Sequence, residues 1–291
     1  MSESTMELSQ PLSMDLKLVK TKKGRIRIRK LDKGRIWIRI LLTSLLLITV
    51  YAFVTMDFGT MVLSEALPAF FRNLRIIFIE ARLSERVQLS HLLSGLLITV
   101  GLALLSVVVG AVISFFFALM ASRNLSPKWL TQIVRSVMSI IRSVPAILWV
   151  LIFALSIGLG TEAAIVGLIF QGMAFLTKAY SETIEEIDYG VIEALKSSGA
   201  TWWQIVFQAV LPSCLTALLS WTFIRLESNF GHALAVGAAA GAGGIGFQLV
   251  LSGGMQNDFR EVGVIIYLLI AVSVIFELVS MKLRSRLLVK Q

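Results

Sequence analysis

Apolar residues gather in this chain into runs of roughly 20, separated by charged or glycine-rich stretches. A run of that length lets a helix cross about 30 Å of hydrocarbon at about 1.5 Å per residue. Because only helices satisfy their own backbone groups in lipid over such a run, the pattern predicts an all-α polytopic membrane protein. Charged residues make up only 15% of the 291, well below the share of an ordinary soluble domain.

Six runs qualify as transmembrane helices. We expect them at about 37–56, 92–121, 145–158, 161–180, 213–236 and 262–281. The domain plan is therefore a basic tail (1–36), the first span (37–56), an outer segment (57–90), a core with five spans (91–284) and a short tail (285–291).

The net charge of +9 is concentrated at the two ends. Eleven of the 27 basic residues lie between Lys17 and Arg39, and four more follow the last span. Loops kept in the cytoplasm carry such an excess. Both termini are therefore predicted to be cytoplasmic, and the charge does not indicate a nucleic-acid partner. The alternating Arg25 to Arg29 stretch fits a short strand or an interfacial anchor on anionic lipid.

The chain offers little for catalysis. Its single cysteine, Cys214, and two histidines form no metal, redox or nucleotide-binding motif. We expect no cofactor, no metal and no catalytic residue, so any energy must come from a partner protein.

The outer segment 57–90 carries an apolar stripe at helical spacing, interrupted by arginines and glutamate. It is too charged to span a membrane. It predicts an amphipathic helix lying on the outer surface or against other helices.

Residues 181–212 form a polar loop far longer than the two to eight residues usual between helices. Acidic residues near its start and a lysine near Ser198 suit the dipole of a first helix. Gly199 is expected to break that helix. A second helix should follow from Ala200 to Val210, and Pro212 should prevent it from entering the next span unperturbed.

The polar loop resembles the signature loop of permease subunits from binding-protein-dependent ABC importers. The motif stands here as Glu193-Ala194-Leu195, then Gly199, then Ala209-Val210-Leu211-Pro212, with Leu195 and Ala209 replacing Ala and Ile. The resemblance implies a MetI-like ABC importer permease fold. It also implies that a cytoplasmic ATP-binding subunit grips the loop through Glu193, Ala194, Gly199, Leu211 and Pro212.

A second resemblance, over about 92–287, is to permeases for phosphonates and phosphite. It rests on Gly241-Ala242-Gly243-Gly244-Ile245-Gly246 after Arg225-x-Glu227-x-Asn229, and on Arg142-Ser143-Val144-Pro145 before the third span. Methionine importers carry close versions of the glycine element. An arginine expected about two residues after Asn229 is replaced by Gly231-His232.

Polar residues in the fifth span are costly at mid-membrane depth. At about 100° per residue, Arg225, Asn229 and His232 share one face, and Glu227 points nearly opposite. One reading is a translocation path suited to an anionic oxyacid. The other is a set of structural contacts between helices. Glu227 must then find its partner on another helix or on a second copy of the chain.

The glycine-rich stretch after the fifth span has two interpretations. Either its irregular backbone lines a cavity or gate, at Gly241, Gly243, Gly244 and Gly246, or it is a flexible outer loop.

The leading hypothesis is a homodimeric phosphonate or phosphite importer permease that also works with a periplasmic or lipid-anchored substrate-binding protein. Alternatives are an amino-acid importer such as one for methionine, and a polytopic membrane enzyme using Arg225, Glu227 and His232.

Overall fold

The computed structural model describes residues 18–20, 26–28, 33–55, 63–84 and 87–288. Most of the predicted tail 1–36 and the last three residues lie outside this part. The chain divides into two compact units, Met1–Ala66 and Leu67–Gln291. The first unit holds a two-stranded antiparallel ribbon, β1 (Leu18–Lys20) and β2 (Ile26–Ile28), which agrees with a short strand in the arginine-alternating stretch.

Otherwise the described chain is helical. The helices are α1 (Lys33–Thr55), α2 (Leu63–Ile79), α3 (Leu89–Ala121), α4 (Lys128–Ser143), α5 (Ala146–Ile157), α6 (Thr161–Glu185), α7 (Tyr189–Ser197), α8 (Trp202–Ile205), α9 (Leu211–Ala239), α10 (Gly244–Val250) and α11 (Phe259–Leu288). Within the described residues, five helices are long and apolar enough to cross a membrane, or six if the bent pair α4–α5 forms one span. The prediction of a six-span helical protein is confirmed in this form.

The core of the second unit lies where α6 packs against α3, α5 and α9. Its fully buried residues include Leu92, Val150, Leu168 and Ile265. Small residues permit the close approach of these helices. A Cβ on Gly167 of α6 would lie 2.7 Å from the backbone of Val150, so only glycine fits there without displacing α5.

The third span differs from its prediction. Helix α5 has 12 residues, about 18 Å, which is too short to cross the hydrocarbon alone. Pro145 follows Val144 at the junction with α4, and the two helices are bent by 91°. The residue before a proline is disfavoured in helical conformation, which explains why α4 ends at Ser143.

The polar loop also differs from its prediction. Helix α6 runs on to Glu185, so Glu182 and Glu185 lie in a helix's last turns and not at the favourable start of a new one. The second short helix is not separate, because Trp202–Ala239 is one continuous 38-residue helix. It does carry the expected perturbation before Pro212, a π-helical turn at Val206–Val210.

The glycine-rich stretch is helical over most of its second half. Helix α10 continues into a π-helical turn at Leu251–Met255, and together they form a short apolar helix.

Helix α2, in the outer segment, packs against α11, where Tyr267 donates a 2.5 Å hydrogen bond to the carbonyl of Phe78. The outer segment was predicted to lie on the outer surface or against other helices. In the structure it contacts another helix, α11.

Candidate functional site

Arg225 of α9 lies inside the helical core, with 3% of its surface exposed. Its Nη2 donates to Oε1 of Gln171 on α6, and lies 3.4 Å from Oδ1 of Asn229 one turn further along α9. The guanidinium also stands 5.4 Å from the ring centroid of Phe175. A charge at this depth is therefore solvated by an amide pair and an aromatic face.

Asn229, 1% exposed, extends this network to α3. Its Nδ2 donates to Oγ of Ser106 at 2.8 Å and to the carbonyl of Ala103 at 3.2 Å. Arg225, Gln171, Asn229 and Ser106 form what we call the arginine cluster, which joins α3, α6 and α9. Among the described residues, Nε of Arg225 has no hydrogen-bond partner, so the cluster keeps one free donor.

The structure agrees with the helical geometry predicted for Arg225, Asn229 and Glu227. Arg225 and Asn229 share the face towards α3 and α6, whereas Glu227 is exposed and lines grooves against α11 on the other side. His232 is half-buried, and its Nδ1 is enclosed without a partner in the described chain. The structure thus brings Arg225 and Asn229 together and leaves Glu227 apart from them.

Of the predicted gate glycines, Gly241 and Gly243 lie in the turn between α9 and α10, and Gly244 and Gly246 lie in the first turn of α10. Gly241, Gly243 and Gly244 have φ angles of 61°, 73° and 77°, a region that favours glycine. The backbone N–H of Ile245 donates to Oγ1 of Thr99 on α3 at 3.1 Å, and a Cβ on Gly246 would collide with the carbonyl of Leu234. The segment is thus held against α3 at Thr99 and against α9 at Leu234.

The signature residues of the polar loop are presented to solvent. Glu193 and Ala194 lie on the exposed side of α7, and Gly199 follows its end with a φ of 80°. Pro212 is exposed and Leu211 partly buried at the start of α9, inside the continuous helix.

The opposite side of the loop is anchored to the core. Ile192 of α7 is fully buried in a cluster with Ile205 and Val206. Nε1 of Trp202 donates to the carbonyl of Leu125, beyond the end of α3, at 3.1 Å. The buried side of α7 is therefore packed against the ends of the membrane helices.

Sequence reasoning missed an apolar patch around this surface. Tyr189, Val191, Trp203 and Phe207 are 59%, 47%, 51% and 53% exposed, and the last two rings stack at 5.8 Å. The adjacent tryptophans Trp202 and Trp203, unusual in a polar loop, were the signal that could have found it. Trp202 is partly buried against the core cluster around Ile192, and Trp203 faces outward.

Two charged sites were also missed. Arg135 of α4 pairs with Glu185 of α6 at 2.5 Å. Fully buried Glu261 accepts from Ser252 at 2.6 Å and from Gln248 at 3.0 Å. Arg135 lies 50 residues before Glu185, and the partners of Glu261 lie 9 and 13 residues before it on other elements, so no pattern within one helix pointed to them. Within the described residues, no group of three or more His, Cys, Asp or Glu side chains could hold a metal ion.

Comparison with known proteins agrees with this architecture. The chain is similar to the phosphate-import permease protein PhnE of Mycolicibacterium smegmatis, with 32% identity over 190 residues, covering 65% of this chain and 35% of that protein. It is similar to the phosphite transport system permease protein PtxC of Stutzerimonas stutzeri, with 30% identity over 188 residues, covering 64% of this chain and 68% of that protein. It thus spans about a third of the first relative and two thirds of the second.

Among solved structures, the fold matches that of the MetNI methionine ABC transporter in an inward-facing conformation. The TM-score is 0.62 at 26% identity, covering 70% of this chain and 99% of that one. Residues 110–287 match the family model for the binding-protein-dependent transport system inner membrane component. The chain therefore belongs to this family of ABC importer permeases and is a multi-pass protein of the inner membrane.

Proposed function

We propose that the protein is the permease subunit that moves a phosphonate, phosphite or related phosphorus oxyanion across the inner membrane, driven by ATP hydrolysis in a separate subunit. The observation that carries the coupling part is the two-sided polar loop. It presents Glu193 and Gly199 to solvent, and it is fixed to the membrane helices through Ile192 and Trp202.

In this proposal the ATP-binding subunit contacts α7 and the apolar patch of Tyr189, Val191, Trp203 and Phe207. Exposed aromatic side chains beside a charged residue are typical of a docking surface. Movement of the loop is passed to α9 through the unbroken helix from Trp202 to Ala239. The π-helical turn at Val206–Val210 is the place in that helix where a change of direction costs least.

The substrate part is supported by the relatives that import phosphate and phosphite, and by the arginine cluster. A guanidinium with a free Nε and neighbouring amides suits an oxyanion. In the present conformation Arg225 is enclosed by α3 and α6, so substrate would reach it when α9 moves relative to them. Gly241, Gly243, Gly244 and Gly246 would form the hinge of that gate.

We propose further that two copies of the chain form the pathway, because one copy supplies one polar loop and half of a symmetric channel. A periplasmic or lipid-anchored binding protein would deliver the substrate to the outer face. Both termini would lie in the cytoplasm, as the basic residues at each end predict.

A methionine-type substrate is the second candidate, because the fold matches the MetNI transporter over 70% of this chain. The membrane-enzyme alternative finds no support. It requires Arg225, Glu227 and His232 to act together, whereas Glu227 lies towards α11 and away from the arginine cluster.

The test uses the complete transporter, with its ATPase and binding protein, in proteoliposomes. We expect ATP-dependent uptake of methylphosphonate or phosphite, and no uptake of methionine. Gly199→Asp adds a charge to the exposed loop and should abolish both co-purification of the ATPase and uptake. Ser90→Asp adds the same charge at an exposed position at the start of α3, and it should change neither co-purification of the ATPase nor uptake. Uptake of methionine alone would overturn the substrate assignment, and an unaffected Gly199→Asp complex would overturn the coupling assignment.

A further inference from the structure

A cavity of about 290 Å³ lies between the end of α3, α4 and α6. Its polar lining residues come from α4 and α6 and are Arg135, Ser139, Arg142, Thr177, Lys178, Ser181 and Glu182. Thr177 is six residues after Gln171 on α6, so the cavity lies about 9 Å further along that helix than the arginine cluster. It is a separate site, on the side of the membrane where the polar loop lies.

The charges around this cavity do not cancel. Arg135 pairs with Glu185 at 2.5 Å, and Lys178 pairs with Glu182 at 3.5 Å. Arg142 is exposed at the last turn of α4 and has no carboxylate partner among the described residues. Three cations against two carboxylates leave one positive charge, and it belongs to Arg142.

Thr177 also lines this cavity, and it points to a polar ligand independently of the charges. It is 1% exposed, and its Oγ1 has no hydrogen-bond partner in the described part of the chain. A threonine in a helix usually bonds its hydroxyl to the carbonyl one turn earlier. A buried hydroxyl left without a partner costs free energy unless something else in the cavity accepts or donates that bond.

We propose that this cavity binds a phosphate- or phosphonate-type oxyanion, with Arg142 supplying the uncompensated charge and the Thr177 hydroxyl donating a hydrogen bond. Guanidinium groups match the geometry of such oxyanions, and hydroxyl and ammonium donors complete their coordination. The same chemistry has two sources, the transported solute on its way to the cytoplasm and the headgroup of an anionic phospholipid. The first source rests on the proposed function, whereas anion binding itself does not.

The experiment measures how fast a maleimide labels a cysteine in the cavity. The full chain, in complex with its ATPase in nanodiscs, carries Cys214→Ala, which removes the only cysteine, and Ser139→Cys. One arm uses phosphatidylcholine with added inorganic phosphate or methylphosphonate, against chloride at equal ionic strength. The other adds phosphatidylglycerol to the bilayer and no anion. Ser136→Cys, exposed on the same helix outside the cavity, is the matched control.

We expect slower labelling at position 139 and unchanged labelling at 136. Protection by free phosphate or methylphosphonate identifies a solute, and protection by phosphatidylglycerol alone identifies a lipid headgroup. Arg142→Gln should weaken protection at least about tenfold, the scale of one charge-assisted hydrogen bond. Thr177→Val keeps the buried shape and removes a hydroxyl that has no hydrogen-bond partner among the described residues. It should weaken protection while leaving the melting temperature of the complex unchanged.

Absence of protection in both arms would overturn the proposal, as would protection that is the same in wild type, Arg142→Gln and Thr177→Val. The failure of the proposed function would look different. Uptake of phosphonate and phosphite would then be missing from proteoliposomes, whatever the labelling result at position 139.

Discussion

Glu185 and Arg135 lie with Oε1 and Nη2 2.5 Å apart, and the same carboxylate oxygen accepts a 2.6 Å hydrogen bond from the backbone N–H of Arg123. One side chain at the end of α6 thus holds both α4 and the segment that follows α3. The side chain of Arg135 is 30% exposed and that of Glu185 is 23% exposed, so water screens this pair only in part.

Glu185→Gln should therefore destabilise the protein by about 1–3 kcal/mol, because it leaves a half-buried guanidinium without its counter-charge. Thermal unfolding of the transporter in nanodiscs measures this. Glu182→Gln is the matched control, since its pair with Lys178 is 3.5 Å long with both side chains about half exposed, and its loss should have little effect. Equal melting temperatures for wild type and Glu185→Gln would contradict the argument.

The second prediction concerns the start of α7. The side chain of Asp188 accepts a 2.9 Å hydrogen bond from the N–H of Gly190 and caps this helix. Asp188→Ala should destabilise the helix by about 1 kcal/mol. Faster hydrogen exchange in α7, with reduced coupling of ATP hydrolysis to uptake, is the expected result. Glu186→Ala, two residues earlier and also exposed, should leave α7 exchange unchanged.

If exchange in α7 responds equally to both changes, the cap is not what orders the helix.

The third prediction separates the two readings of the arginine cluster. Arg225→Ala should abolish uptake while the protein still reaches the membrane in normal amount, if the guanidinium meets the substrate. Ser106→Ala should be mild, because Nδ2 of Asn229 keeps its 3.2 Å bond to the carbonyl of Ala103. Quantitative immunoblotting of membranes together with phosphonate uptake makes the comparison. Intact uptake in Arg225→Ala would leave only the structural reading.

The sequence was sufficient to predict features that depend on composition and short spacing. Apolar runs gave the spans, and helical geometry placed Glu227 opposite Arg225. The signature motif was sufficient to indicate the permease family. These features depend on composition and on spacing between residues that are close in sequence, and both can be read from a single sequence.

Features that depend on contacts between helices were not predictable in this way. Glu185 reads as the acidic start of a helix until Arg135, 50 residues earlier, is known to face it. The partners of Asn229 on α3 lie more than 120 residues away. The 91° bend at Pro145 also depends on where α4 packs, since a proline permits a bend without fixing its angle.

The last prediction tests how the first turn of α10 packs against α9. A Cβ on Gly246 would overlap the carbonyl oxygen of Leu234 in α9. This oxygen is a backbone atom, so it cannot move aside as the end of a flexible side chain could. Gly246→Ala should therefore push α10 away from α9 and lower both the amount of folded protein and its melting temperature. Gly101→Ala is the control, because nothing lies within 4 Å of a Cβ there and alanine favours a helix by up to about 1 kcal/mol over glycine. Fluorescence-detected size exclusion after heating compares the two variants with wild type, and a Gly246→Ala protein as stable as Gly101→Ala would show that α10 is not held against α9 in the membrane.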